Sequence, residues 1–130
     1  MLLHAVAARR SAAALLALIL SLTVMQISTP VHAAGAFAIG KCGAYGQAFD
    51  YPAEAAAIAA ARKQCGGKCE TVTMKRSCAA LSIDMANPCG AHGYAVAPRI
   101  STSLNNATRK CYEFGGKECV IRAWACDAKG

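Results

Sequence analysis

Negative charge is scarce in this sequence: seven carboxylates stand against fourteen lysines and arginines in 130 residues, a formal net charge of +7. Those carboxylates (Asp50, Glu54, Glu70, Asp84, Glu113, Glu118 and Asp127) form no matched pair, which leaves a two-carboxylate hydrolase without its acid and base. Histidine is scarcer still, with only His4, His32 and His92. Aromatic residues make up 6% of the chain and include a single tryptophan. The basic residues are scattered, without a run of five or more and without interleaved aromatics, so nothing points to specific nucleic-acid recognition. No C-x-x-C occurs, which argues against a thioredoxin-like redox site. Ser77 and Ser82 lack the G-x-S-x-G setting of an activated serine. The diglycines at Gly66 and Gly115 end predicted helices instead of opening them, the wrong end for cradling a phosphate. No cofactor or catalytic constellation is expected, and the chain does not read as an enzyme.

At the start, residues 1–33 read as a secretory signal. His4, Arg9 and Arg10 form a short basic region, an apolar run follows from Ala12 to Ile27, and Val31 and Ala33 satisfy the small-residue rule for cleavage after Ala33. The run falls short of the roughly 20 apolar residues of a membrane span, and Pro30 ends it. General secretion is favoured over twin-arginine export, because Ser11 and alanines follow the arginine pair. Cleavage leaves residues 34–130 as one small domain without a transmembrane anchor. Its charge falls to about +5 with the loss of two arginines.

All eight cysteines lie beyond the cleavage site, an even count that reads as a disulfide framework in an exported chain. Zinc is not expected, since the close pairs are separated by three and seven residues and one histidine accompanies them. The cysteines also mark a duplication. Cys42 to Gly46 (CGAYG) and Cys89 to Gly93 (CGAHG) each open a hairpin strand, and each is followed by a proline, a helix ending in cysteine, a diglycine and a last strand. The first copy, about residues 35–78, has strands at Gly35 to Ile39 and Tyr45 to Tyr51, a helix over Ala53 to Cys65 and a strand at Cys69 to Met74. The second, about 78–126, has strands at Cys78 to Ile83 and His92 to Ala97, a helix over Thr102 to Tyr112 and a strand at Cys119 to Cys126. Ile58, Ala61 and Cys65 form one buried stripe, and Leu104, Ala107 and Cys111 its counterpart. Trp124 is expected in the core. The fold class is α+β: two pseudo-twofold-related units forming one antiparallel sheet with two helices, stapled by disulfides.

Eight cysteines allow roughly a hundred pairings. Exchange of equivalent copies leaves far fewer. Among these, Cys65 with Cys69 and Cys111 with Cys119 are the local choice across the diglycine reversals. Cys78 and Cys126 are equivalent strand positions that meet near the axis, and Cys42 and Cys89 are left for each other.

The signal, the GAFAIG opening, the G-x-x-G hairpin, the alanine-rich helix ending in cysteine and the strand leading into CAAL together resemble the bacterial family called domain of unknown function 4189. The likeness covers Gly35 to Cys126, with Cys42 and Cys89 outside the family pattern. It implies an exported bacterial α+β domain with disulfides and carries over no catalytic residue.

The functional expectation is an exported binding or inhibitor module, periplasmic or extracellular, that recognises an envelope or extracellular macromolecule. The alternatives are a structural or stress-related envelope protein and, behind it, an enzyme of unrecognised type. Candidate contacts are Tyr45, His92, Tyr94 and Arg99 near the hairpins, with His92 standing where the first copy has Tyr45.

Overall fold

A computed structural model describes residues 34–127. The expected signal segment, 1–33, lies outside the described residues. The elements follow in the order β1 (Ala34–Ile39), a short 3-10 turn (Lys41–Gly43), β2 (Tyr45–Tyr51), α1 (Glu54–Cys65), β3 (Glu70–Met74), β4 (Cys78–Asp84), β5 (His92–Ala97), α2 (Ile100–Glu113) and β6 (Cys119–Cys126). The α+β class and the antiparallel pairing hold. The strands, however, form two three-stranded sheets instead of one, in the orders β2-β1-β3 and β5-β4-β6. The duplication therefore appears as one topology built twice, with the first strand of each unit at the centre of its own sheet.

Side-chain alternation explains the division. In β1, Phe37 and Ile39 point one way and join Met74, Leu81, Ile83, Ala123 and Ala125 in the largest core cluster, between the two sheets. Ala36 and Ala38 point the other way and pack with Ala57, Ala61 and Cys65 of α1. β4 repeats the pattern, with Ala79, Leu81 and Ile83 toward the opposite sheet and Ala80 toward Ala107 of α2. Every β4 residue is buried, as both faces are covered. A single sheet would leave one of those faces in water. The layers are thus helix, sheet, sheet, helix, with bulky residues inside and alanines under the helices.

The helices lie close to their sheets, which leaves Ala61, Cys65, Ala107 and Cys111 buried as expected but replaces the first member of each stripe by the residue before it. Ala57, Ala61 and Cys65 are the buried residues of α1 and Ser103, Ala107 and Cys111 those of α2, while Ile58 and Leu104 are only half-buried. The cause is Gly46 in β2 and Gly93 in β5. A Cβ on Gly46 would strike the Ala61 carbonyl oxygen and come within 2.9 Å of its carbon, and one on Gly93 would sit 2.5 Å from the Cys111 nitrogen. At such separations only small side chains fit in the interface. Ser103 is fully buried and donates from Oγ to the Cys78 carbonyl at 2.6 Å, tying α2 to the start of β4.

Trp124 departs from expectation, being 55% exposed. A register shift between Leu81 and Ser82 turns Ala123 and Ala125 inward, and Trp124 pairs with Ala80 on the helix side of β6. There α2 packs chiefly over β4 and β5, leaving the flank along β6 open.

Candidate functional site

The four disulfides are Cys42–Cys89, Cys65–Cys69, Cys78–Cys126 and Cys111–Cys119. Three gather at one end of the sandwich. A Cβ on Gly40 would fall 2.7 Å from the Cys65 sulfur, two residues from Cys42, and the Cys111 sulfur lies 3.8 Å from the Ala91 carbonyl, two residues from Cys89. At this crosslinked end the loops after β1 and β4 meet.

The two CGA stretches there are not conformational equivalents. In the first, Cys42 and Gly43 both take left-handed backbone conformations, φ 56° and 77°, inside the 3-10 turn. In the second, Gly90 stays out of that region and its N–H donates to Asn87 O at 2.8 Å within a loop longer by two residues. What the repeats share is the last glycine of each, Gly46 or Gly93, demanded by the helix above it.

Asp84 holds the second loop in place. Its Oδ1 accepts the N–H of Ala86 at 3.1 Å and of Glu118 at 3.0 Å, joining the loop to the start of β6. The Glu118 bond is the main reason its carboxyl titrates below the usual value. A folded-state value below the unfolded one means that this stabilisation is complete above about pH 4 and is lost as pH falls through the folded value. Asp84→Ala is therefore expected to lower the thermal midpoint at pH 7 and to flatten the acid-side decline of stability below about pH 4, as followed by circular dichroism.

His92 and Tyr94, paired with Ile83 and Leu81 on the face of β5 turned toward the other sheet, come together at this end. They line a depression of about 500 Å³ with Gly90, Ala91, Lys110 and Phe114. His92 also borders a second depression of about 450 Å³, whose wall includes Lys41, Lys68 and Glu70. The imidazole is exposed, with Nδ1 3.4 Å from Gly90 O. The Tyr94 hydroxyl donates to Glu70 Oε1, and that bond, helped by partial burial, raises its pKa. Lys110 Nζ lies 5.8 Å from the Tyr94 ring centre and donates to Tyr94 O at 3.2 Å. Phe114, at the end of α2, is 71% exposed.

Tyr45 and Arg99 are elsewhere. Tyr45 closes the opposite margin between the sheets, its ring 6.2 Å from that of Phe37 and beneath the Arg122 guanidinium at 5.6 Å. The Tyr94–Glu70 bond does the corresponding work on the near margin, so both tyrosines join one sheet to a charged residue of the other. Arg99 precedes α2 beyond the far end of β5, about 20 Å of extended chain from His92. The residues missed by sequence reasoning are Lys110, Phe114, Lys41, Lys68 and Glu70. Lys110 and Phe114 were legible as an i, i+4 pair on the last turn of α2, one face of a helix whose partner strand carries Tyr94. Among the described residues, no three His, Cys, Asp or Glu side chains converge to hold a metal, and no helix is long and apolar enough to cross a membrane.

The family model for the domain of unknown function DUF4189 matches residues 34–126. The chain is 35% identical over 94 residues to Protein Rv1269c of Mycobacterium tuberculosis and, to the same degree, to Protein Mb1300c of Mycobacterium bovis, covering 72% of this chain and 68% of each relative. The NMR structure of Rv1813c from Mycobacterium tuberculosis is similar in fold, with a TM-score of 0.53 and 22% identity over 78% of this chain and 80% of that one.

Proposed function

This chain belongs to the DUF4189 family, and from that footing we propose that it is an exported binding module whose contact face is the crosslinked end of the sandwich. The observation that carries the reading is His92, exposed on the rim between two depressions and flanked by Lys110 and Phe114. An exposed aromatic beside cations on a rigid frame suits a macromolecule that presents an anionic group next to an apolar one. Disulfides around the face keep it ordered before binding, which limits the entropy lost on association. The partner is an envelope or extracellular macromolecule, and the module acts by contact, without turnover or cofactor.

Export rests on two supports. All eight cysteines are paired, which suits a periplasmic or extracellular setting. The leader reads as cleaved after Ala33, at a small-residue site that follows a short apolar run.

Affinity capture from envelope and secreted fractions tests the proposal. The protein is expected to retain a partner that the combined variant His92→Ala, Lys110→Ala, Phe114→Ala captures at least tenfold less, with an unchanged thermal midpoint. Capture unaffected by the triple variant would move the contact face. Absence of any captured partner favours a structural envelope role, and a turnover that His92→Ala abolishes would make the protein an enzyme.

A further inference from the structure

Asp127 follows β6 at the end of the sandwich opposite the candidate site and is 2% exposed. Neither carboxylate oxygen has a hydrogen-bond partner among the described residues. The two ion pairs among those residues do not involve it: Lys75 binds Glu54 at 3.1 Å, and Arg109 lies 3.6 Å from Glu113. Its backbone N–H donates to Ser77 O at 2.9 Å. A buried ionised carboxylate without a counter-charge is costly enough that such groups are nearly always paired. The neighbouring strand is β1. A Cβ on Gly35 would lie 3.2 Å from Asp127 Cβ, and the nitrogen of Ala34 is within about 5 Å of the Gly35 Cα by backbone geometry.

Cleavage after Ala33 changes the chemistry of that nitrogen. Water supplied in the peptidase reaction hydrolyses the Ala33–Ala34 bond, leaving a carboxylate on Ala33 and an amine on Ala34 that takes up a proton near neutral pH. We infer that the Asp127 carboxylate is a built receptor for the α-ammonium of Ala34, so that removal of the leader completes the fold with a buried ion pair. The inference rests on the processing read from the leader. Before cleavage the same nitrogen is a neutral amide, and the precursor lacks the pair. After cleavage the pair fastens the first strand of one sheet to the end of the last strand of the other.

The test uses full-length precursor expressed in an exporting host, with the mature chain recovered and its first residue identified by intact mass. Four forms are compared: the natural chain, Asp127→Asn, a one-serine insertion between Ala33 and Ala34, and both changes together. The pairing predicts that Asp127→Asn and the insertion each lower the thermal midpoint by roughly 5 °C or more, and that together they lower it no further than the larger single effect. It also predicts that an amine-reactive acetylating reagent modifies the α-amine of the natural chain about tenfold more slowly than that of Asp127→Asn, read by peptide mass. A first residue other than Ala34 overturns the processing reading and the pairing with it. With Ala34 first, additive losses of stability or equal acetylation rates overturn the pairing alone.

Discussion

Removing the Cys78–Cys126 bond by alanine at both positions is expected to lower the unfolding free energy by about 4 kcal/mol, roughly twice the loss from removing Cys65–Cys69. In the chain-entropy account, stabilisation grows with the loop closed in the unfolded chain. The sequence separations are 48 residues for Cys78–Cys126 and 4 for Cys65–Cys69. By the same account Cys42–Cys89, with a separation of 47, matches the larger value. Cys78–Cys126 has a further reason to rank first, because it joins directly paired residues of β4 and β6 beside the fully buried Ser103. Urea unfolding of the three double variants measures the order. Equal midpoints for the Cys78–Cys126 and Cys65–Cys69 variants would contradict it.

Gly46→Ala and Gly93→Ala are each expected to destabilise the fold by about 3 kcal/mol or more, far beyond the effect of one methyl on an open surface. The added carbon of Gly46→Ala meets backbone: besides the Ala61 carbonyl, it would lie 3.0 Å from the Cys65 nitrogen. A backbone obstacle cannot rotate aside, so α1 must lift from its sheet and open the alanine contacts of Ala36, Ala38, Ala57 and Ala61. Gly66→Ala has no neighbour within 4 Å, but its φ of 101° adds a strain of its own, so it is not the right control. An exposed helix position such as Ala59→Gly supplies one, with an expected loss of about 1 kcal/mol. Both strand variants are expected to fall several times further in the same denaturant titration, and a loss near 1 kcal/mol would mean that the helices yield easily.

The units themselves were legible in the chain because their signals are local. Pro52 before an alanine run, Gly66-Gly67 after it and β-branched Thr71, Val72 and Thr73 mark turn, helix and strand without reference to anything distant. The division into two sheets was not, because it depends on which face of β1 and β4 meets which layer. An apolar strand such as AGAFAI is compatible with either arrangement. Size alternation held the missing hint, alanine at 36 and 38 against Phe37 and Ile39. Trp124 misled because bulk is usually buried, whereas the β-bulge decided its face. In the candidate site, His92 stood out through the repeat and Tyr94 as an aromatic beside the hairpin turn. Glu70, Lys41 and Lys68 belong to the other copy and reach the site only because the sheets stack, a relation that no spacing along the chain encodes.

Only the short segment from Lys75 to Ser77 and the Cys42–Cys89 bond connect the two units covalently. Lys75 and Arg76 are exposed, and Arg76 is held at φ 48° in the bend. A trypsin-like protease met outside the cell would find its preferred residues there. One cut would nick the molecule without parting it: each half keeps its own sheet and helix, and the bond between the loops holds the halves together until a reductant reaches it. Tolerance of such a nick lies in the placing of one crosslink across the duplication, while the other three stay within a copy.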